Sequence, residues 1–354
     1  MPLGLTVAAA MRFGWRGWTA GALIVAALAF LIRGRMALAI DDRPITRLRR
    51  FLERLYYAHW AGGIGSVILL VGTGIACAFG VLDLGLAATS AYTGGLALGL
   101  WAVFVRPRWV TVRTLEIPVR ALPDALDGYR IAQLSDLHVG SLLPDDVARS
   151  WVRKTNALDV DLVALTGDYV TTGTRYHVAA GKLLGELRAR DGVFAVLGNH
   201  DNFGDREPLV STLAATGVHL LQNERMAITR DGATLFEVAG VDDVYTRRAD
   251  VEKTFAGRNP TTPVLALAHD PKTFPSIAKK GAFLVLSGHT HWGQVGVPLL
   301  ERRQNIARPF FRYHAHLYRE GDSLLYVHPG LGTTGPPVRF GVAPEISVFV
   351  LKKV

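Results

Sequence analysis

The chain has 354 residues, room for about two domains at ~150 residues each, and it carries a net charge of +9 with 49% hydrophobic residues. Residues 1–110 contain no lysine and eleven arginines against four acidic residues, so they hold +7 of that charge and leave about +2 for the remainder. The basic excess therefore belongs to an apolar segment and reads as membrane topology, which excludes a nucleic-acid surface; the single cysteine, Cys77, excludes an intrachain disulfide and a cysteine-based zinc site.

Three apolar runs open the chain. Gly17 to Ile32 lies between Arg16 and Arg33, Trp60 to Leu82 is free of charge, and Leu84 to Val105 follows Asp83 and stops at Arg106-Pro107-Arg108. The second and third are long enough to cross a hydrocarbon core of about 30 Å, and the first is shorter. Tyr56, Tyr57, Trp60 and Trp101 sit near run ends, where amphipathic rings favour the interface. Ile45, Leu48, Leu52, Leu55, Tyr56 and His59 recur at helical spacing, as in a cytoplasmic extension of the second run or, alternatively, a basic helix lying on anionic lipid.

Seven arginines between Arg33 and Arg54 separate runs one and two, whereas only Asp83 separates runs two and three. The positive-inside rule places the arginine-rich connection in the cytoplasm, and residues after Arg106 with it. The alternative is an exported second half, through a signal-peptidase-like Ala37-Leu38-Ala39 or the loosely twin-arginine Arg49-Arg50-Phe51-Leu52. The expected organisation is a helical transmembrane anchor over 1–110 and a catalytic domain over 111–354.

From Val110 short apolar strands alternate with helical patterns. Arg130–Leu134, Leu162–Leu165 and Val193–Leu197 read as buried strands, and helices are expected over Val147–Leu158 and around Leu183–Leu187. Such alternation argues for an α/β fold with a largely parallel core. Polar residues cluster just after the strand ends, where open α/β sheets place ligands. They are Asp136-Leu137-His138, Gly167-Asp168, Gly198-Asn199-His200-Asp201, His269-Asp270 and Gly288-His289-Thr290-His291. Carboxylate, amide and imidazole are ligands for borderline divalent ions such as Mn, Fe and Zn. Two such ions ~3.5–4 Å apart generate a nucleophile from water and neutralise phosphate oxygens during attack at phosphorus.

These five motifs, in this order, resemble the calcineurin-like metallophosphoesterase superfamily over about residues 128–350. Ser135–His138, His269–Pro271 and the closing Pro344–Ile346 are similar to its membrane-linked bacterial branch. The resemblance implies an α/β sandwich of two mixed β-sheets flanked by helices, here preceded by a helical transmembrane segment. It also implies two divalent ions. Asp136, His138 and His291 would hold the first, Asn199, His269 and His289 the second, and Asp168 would bridge them. His200 would stabilise the phosphate or protonate the leaving group, oriented by Asp201. Asp270 is expected to hold His269 in place, Asp242 and Asp243 to form a strand-end turn, and His314, His316 and His328 to be minor candidates as ligands. Arg339 is expected at the surface or in a salt bridge, with phosphate contact as the alternative.

Where relatives usually have glycine after the second histidine of Gly-His-Thr-His, this chain has Trp292, a residue able to stack on a base or sugar or simply to pack. Similar membrane-linked enzymes cleave UDP-2,3-diacylglucosamine, so the leading expectation is hydrolysis of a membrane-associated phosphodiester or pyrophosphate, such as a UDP-linked acylated sugar. An anchored enzyme for soluble nucleotides or phosphoproteins is the alternative, and a membrane scaffold with a vestigial site is a third reading.

Overall fold

A computed structural model describes Thr19, Ala22 and residues 45–354 apart from 82, 83, 121 and 231. The apolar run 17–32, Thr19 and Ala22 excepted, and the segment 37–39 lie outside the described residues. The chain divides into two compact units, Met1–Val105 and Arg106–Val354.

In the first unit, helix α1 (Arg47–Ala78) is continuous from the arginine-rich stretch into the second apolar run, and α2 (Leu84–Leu100) continues into a π-helical turn, Trp101–Val105. Two stretches, Arg47–Ala76 and Gly85–Arg108, are long and apolar enough to cross a membrane. Val67, Ile68, Val71 and Ile75 are exposed along α1, as a lipid-facing surface requires. Small residues line the contact between the helices. A Cβ at Gly99 would lie 2.0 Å from the Ala58 carbonyl, and one at Gly95 2.5 Å from the Gly62 carbonyl. Backbones this close are how helices associate where lipid supplies no hydrophobic drive between them. The buried Arg54 donates to the Val103 carbonyl at the end of the second helix and lies 5.0 Å from the Phe104 ring.

The second unit contains two six-stranded mixed sheets. The first has the order β1 (Thr111–Val119), β12 (Glu345–Lys353), β2 (Arg130–Leu134), β3 (Leu162–Leu165), β4 (Val193–Ala195), β5 (His219–Leu220). The second runs β10 (His316–Glu320), β11 (Ser323–Val327), β9 (Leu284–Ser287), β8 (Val264–Ala268), β7 (Ala233–Val241), β6 (Glu224–Arg230). Strands β2 to β5 are parallel, as are β7, β8, β9 and β11; β12 against β2, β10 against β11 and β6 against β7 are antiparallel. This is the expected two-sheet architecture.

Continuous apolar runs in β2, β3 and β4 reflect burial on both faces. Ile131, Ala164 and Phe194 point into one core with Phe236, Leu265 and Phe349. Their neighbours Ala132, Val163 and Ala195 enter a second core with Trp151, Leu184 and Leu213. Trp151 comes from α3 (Asp145–Asn156), Leu184 from α4 (His177–Leu184) and Leu213 from α5 (Glu207–Ala215). Three elements have boundaries that differ from expectation, the first being α3, which runs from Asp145 to Asn156 and so starts earlier and ends before Leu158. The strand from Val193 ends at Ala195, because Val196 and Leu197 already turn toward Gly198 while staying buried. Leu187 lies beyond α4, which closes at Gly185.

Phe236 is wholly buried and meets Tyr129 edge-on, with centroids 5.3 Å apart. Phe236→Ala is expected to cost about 3–5 kcal/mol, seen as an earlier thermal transition of the detergent-purified protein.

Candidate metal centre

Five loops build the site, and each follows the C-terminal end of a strand lying in a parallel run: β2, β3, β4, β8 and β9. Within them Asp136, His138, Asp168, His289 and His291 adopt left-handed backbone, with φ between 47° and 72°. Such φ values are uncommon outside glycine and cluster at functional sites. Glycines make the room. A Cβ at Gly198 would fall 2.2 Å from Asp168 Oδ1, and one at Gly288 2.3 Å from Asp136 Oδ2, so neither position admits a side chain without moving a carboxylate.

Asp136, His138 and His291 form one buried group whose donor atoms lie within 4.8 Å of one another; Asp168, His269 and His289 form a second. In the first, His291 Nε2 is 3.2 Å from Asp136 Oδ1 and 3.0 Å from His138 Nε2. In the second, His269 Nε2 is 3.2 Å from Asp168 Oδ2 and 3.3 Å from His289 Nδ1, which is 3.0 Å from Asn199 Oδ1. Asp168 Oδ2 also lies 3.7 Å from His138 Nε2, so one carboxylate oxygen faces both groups. A third combination, His138, Asp168 and His200, meets the same criterion.

The electrostatics of this cluster favour a cation. Burial opposes charge on Asp136, yet the imidazoles of His291, His269 and His138 hold it well below the usual carboxylate range. Asp168 is lowered in the same way, against burial, chiefly by His269. Burial and the neighbouring His291 push His138 down to about 3, whereas Asp168 overcomes burial at His269 and raises it to about 10. Two ring nitrogens facing each other at 3.0 Å leave lone pairs unsatisfied unless a proton or a cation lies between them. With charged carboxylates on the same spot, the donor set fits divalent metal ions. His269 is held by donation from Nδ1 to the Thr166 carbonyl at 2.7 Å, the outer contact that aims a metal-binding imidazole.

Several expectations about individual residues are corrected. Asp201 does not orient His200. Both its oxygens accept backbone N–H groups, from Asp168 and Tyr169 at 2.8 Å, Gly198 at 2.9 Å and Val170 at 3.3 Å, and it is fully buried. Burial, then the charge of Asp168, raise its pKa to about 7 against the pull of these donors. His200 is fixed instead by the Thr171 carbonyl, 2.5 Å from Nδ1, while its backbone N–H donates to Asp168 Oδ1 at 2.8 Å. Asp270 does not hold His269; it accepts from the Lys272 backbone and pairs with its ammonium at 2.8 Å.

Arg339 is neither at the surface nor salt-bridged. It is wholly buried and donates to the carbonyls of Pro329, Gly330, Gly332 and Ala343, bracing the loop packed on Asp136 and His291. Trp292 is buried and donates from Nε1 to the Val327 carbonyl at 2.7 Å, so it packs and does not face a substrate.

Asp242 and Asp243 are turn residues after β7. Asp242 pairs with Arg206 at 3.4 Å, and Asp243 accepts from the backbone of Tyr245 and Thr246. His314, His316 and His328 join none of the metal-capable groups found among the described residues. His328 is buried with Nδ1 accepting from Gly330 N–H, and His314 meets the Tyr318 hydroxyl. Sequence reading passed over Gln133, a buried amide in an apolar strand. It donates to Thr166 Oγ1 at 2.9 Å and to the Ser287 carbonyl at 3.0 Å, linking the two sheets behind the site. The signal was a lone polar residue in Arg130–Leu134.

Asp201→Asn is expected to destabilise the protein by about 1–3 kcal/mol, because an amide nitrogen would face backbone donors. It is also expected to weaken metal binding by roughly 10–100-fold; a thermal melt and a metal titration of the same preparation check both.

Residues 129–293 match the model for the calcineurin-like phosphoesterase family. The chain is 34% identical over 261 residues to a transmembrane protein with metallophosphoesterase domain from Bos taurus, covering 68% of this chain and 57% of that one. This chain thus spans little more than half of that relative's length. It is 30% identical over 272 residues to the uncharacterized metallophosphoesterase YkuE of Bacillus subtilis, covering 76% of this chain and 94% of YkuE. It is 26% identical over 308 residues to the UDP-2,3-diacylglucosamine pyrophosphatase LpxG of Chlamydia muridarum, covering 70% and 91%. A motif order, a two-sheet fold, a cluster of Asp and His that can hold metal ions and a near full-length relative agree: the chain belongs to the calcineurin-like metallophosphoesterases.

Proposed function

We propose that residues 111–354 are a hydrolase that uses two divalent ions to cleave a phosphodiester or pyrophosphate, and that residues 1–110 anchor it in a membrane. The carrying observation is Asp168, whose Oδ2 lies 3.2 Å from His269 Nε2 and 3.7 Å from His138 Nε2. In this reading Asp168 bridges two sites, one completed by Asp136, His138 and His291, the other by Asn199, His269 and His289. The ions would supply Lewis acidity, which lowers the pKa of water and offsets charge on phosphate oxygens.

The chain's own groups do the rest. The Asp136 carboxylate is fixed by the His289 backbone N–H at 3.0 Å and Asp168 by that of His200 at 2.8 Å, so both are oriented before any substrate arrives. His200 gives its Nδ1 hydrogen to the Thr171 carbonyl, which leaves Nε2 to exchange a proton with the leaving group.

A membrane-associated substrate such as a UDP-linked acylated sugar is the leading class. Support comes from the activity for which the Chlamydia relative is named and from two candidate spans, the second of which ends at Arg108, shortly before β1. An enzyme for soluble nucleotides or phosphoproteins is the second reading, favoured by the name of no relative above. The arginine-rich side of α1 supports a cytoplasmic catalytic unit in the inner membrane.

The test is hydrolysis by detergent-purified protein of a UDP-linked acylated sugar, a model phosphodiester and a model monoester. Chelation is expected to abolish turnover and Mn²⁺ to restore it. Asp168→Ala is expected to lose at least ~10²-fold, more than an outer-contact change would. A protein that stays inert on the whole panel with metals, or an unaffected Asp168→Ala variant, defeats the reading and leaves a scaffold. His200→Ala is expected to lose about 10²–10⁴-fold, and less on a nitrophenyl ester, whose leaving group needs no proton.

A further inference from the structure

Residues 297–312, between the last of the site loops and β10, expose apolar side chains that no packing requirement of the sheets explains. Leu299 is 96% exposed and Phe310 79%, with Leu300 and Ile306 also exposed. Leu299 moreover holds a left-handed backbone, φ 69°, where a water-facing turn favours glycine or asparagine. Strain combined with exposure in a bulky residue marks a position kept for a purpose other than solubility.

The loop is built rigidly. Asn305, buried at its centre, donates to the Glu301 carbonyl at 2.7 Å and accepts from Ala307 and Arg308 N–H at 3.0 and 3.1 Å. Val297 N–H donates to the Gln304 carbonyl at 2.9 Å and Phe310 N–H to that of Ala307 at 3.0 Å. Two braced turns thus hold the apolar tips outward.

Charge names the occupant. Arg302, Arg303, Arg308 and Arg312 are exposed in the same stretch, with Glu301 its only acid. Apolar tips among arginines match the interface of an anionic bilayer, where rings and aliphatic chains sit at the acyl boundary and guanidinium groups meet lipid phosphates. Glu301 interacts electrostatically with Arg106, the residue at which the second unit begins and which lies at the end of a candidate span. The loop therefore carries a charge that acts on the first residue of the catalytic unit. The end of the loop also reaches the metal centre, since Phe311 meets His289 edge-on with centroids 5.6 Å apart.

We propose that residues 297–312 are a membrane-docking loop that seats Leu299 and Phe310 in the interfacial layer of an anionic bilayer and so presents the site at headgroup level. The proposal goes beyond the hydrolytic reading and does not depend on it; it rests on reading α1 and α2 as spans.

The experiment uses the full chain in a Cys77→Ser background, one copy per nanodisc of phosphatidylcholine with phosphatidylglycerol. A polarity-sensitive dye is attached at Leu299→Cys, at Ile68→Cys on α1 as the membrane reference, or at Met226→Cys on β6 as the water reference. The expected result is a blue-shifted dye at Leu299→Cys, quenched by spin-labelled lipid at least about twofold more than at Met226→Cys. Adding Arg302→Glu with Arg303→Glu is expected to lower that quenching toward the water reference.

Equal quenching at 299 and 226, with 68 strongly quenched, would overturn the docking loop alone. An unquenched dye at 68 would overturn the anchor and the proposal with it. Shielding of 299 only when several copies share one membrane would make the loop a contact between copies and overturn the lipid assignment. Unchanged quenching in the double arginine variant would overturn the headgroup role.

Discussion

Two carboxylates, Asp136 and Asp168, lie buried among shared imidazoles that hold both below the usual carboxylate range, and the second unit is arranged around making that tolerable. Isolated buried charge costs more than a domain's net stability can absorb, so it must meet opposite charge and hydrogen-bond donors. The structure supplies both. Imidazoles from four loops converge on the pair, and backbone N–H groups of His200 and His289 bind their oxygens. Left-handed backbone at five positions is what aims these groups inward, and Asp201 holds the loops after β3 and β4 in that shape. Metal binding is the natural completion of such a cluster, because a cation relieves the repulsion that the fold otherwise has to contain.

The fold was legible where physics writes directly into residue type. Apolar runs of four or five residues marked β2, β3 and β4 as strands buried on both faces, and polar groups immediately after them marked the site. Less legible were contacts made through the main chain. Asp201 stands beside His200 in the sequence, which suggested a side-chain pair, whereas its real partners are four N–H groups brought together only by folding. Arg339 misled for the same reason: guanidinium groups are usually exposed or paired with acids, and nothing in Val338-Arg339-Phe340 announces four carbonyl acceptors. Trp292 is the converse case. An indole beside a ligand motif could stack on a substrate or pack, and its left-handed backbone turns it into the core.

The first unit rests on a different kind of contact. Helices α1 and α2 approach until the backbone at Gly99 nearly touches that at Ala58, a separation that glycine, alanine and serine at the contact allow. Apolar periodicity cannot show this, since every side of such a helix is apolar; small residues in register are the only trace. In the second unit large side chains fill the cores and polar groups are confined to the strand ends. The two units thus pack with opposite choices of side-chain size.

The place of β12 bears on how such a chain is made. In its sheet β1 pairs with β12, and β12 lies between β1 and β2. The first strand of this sheet to leave the ribosome therefore waits, with its pairing edge open, until residues 345–353 have been synthesised. An unpaired strand edge of nine residues is a site for wrong association.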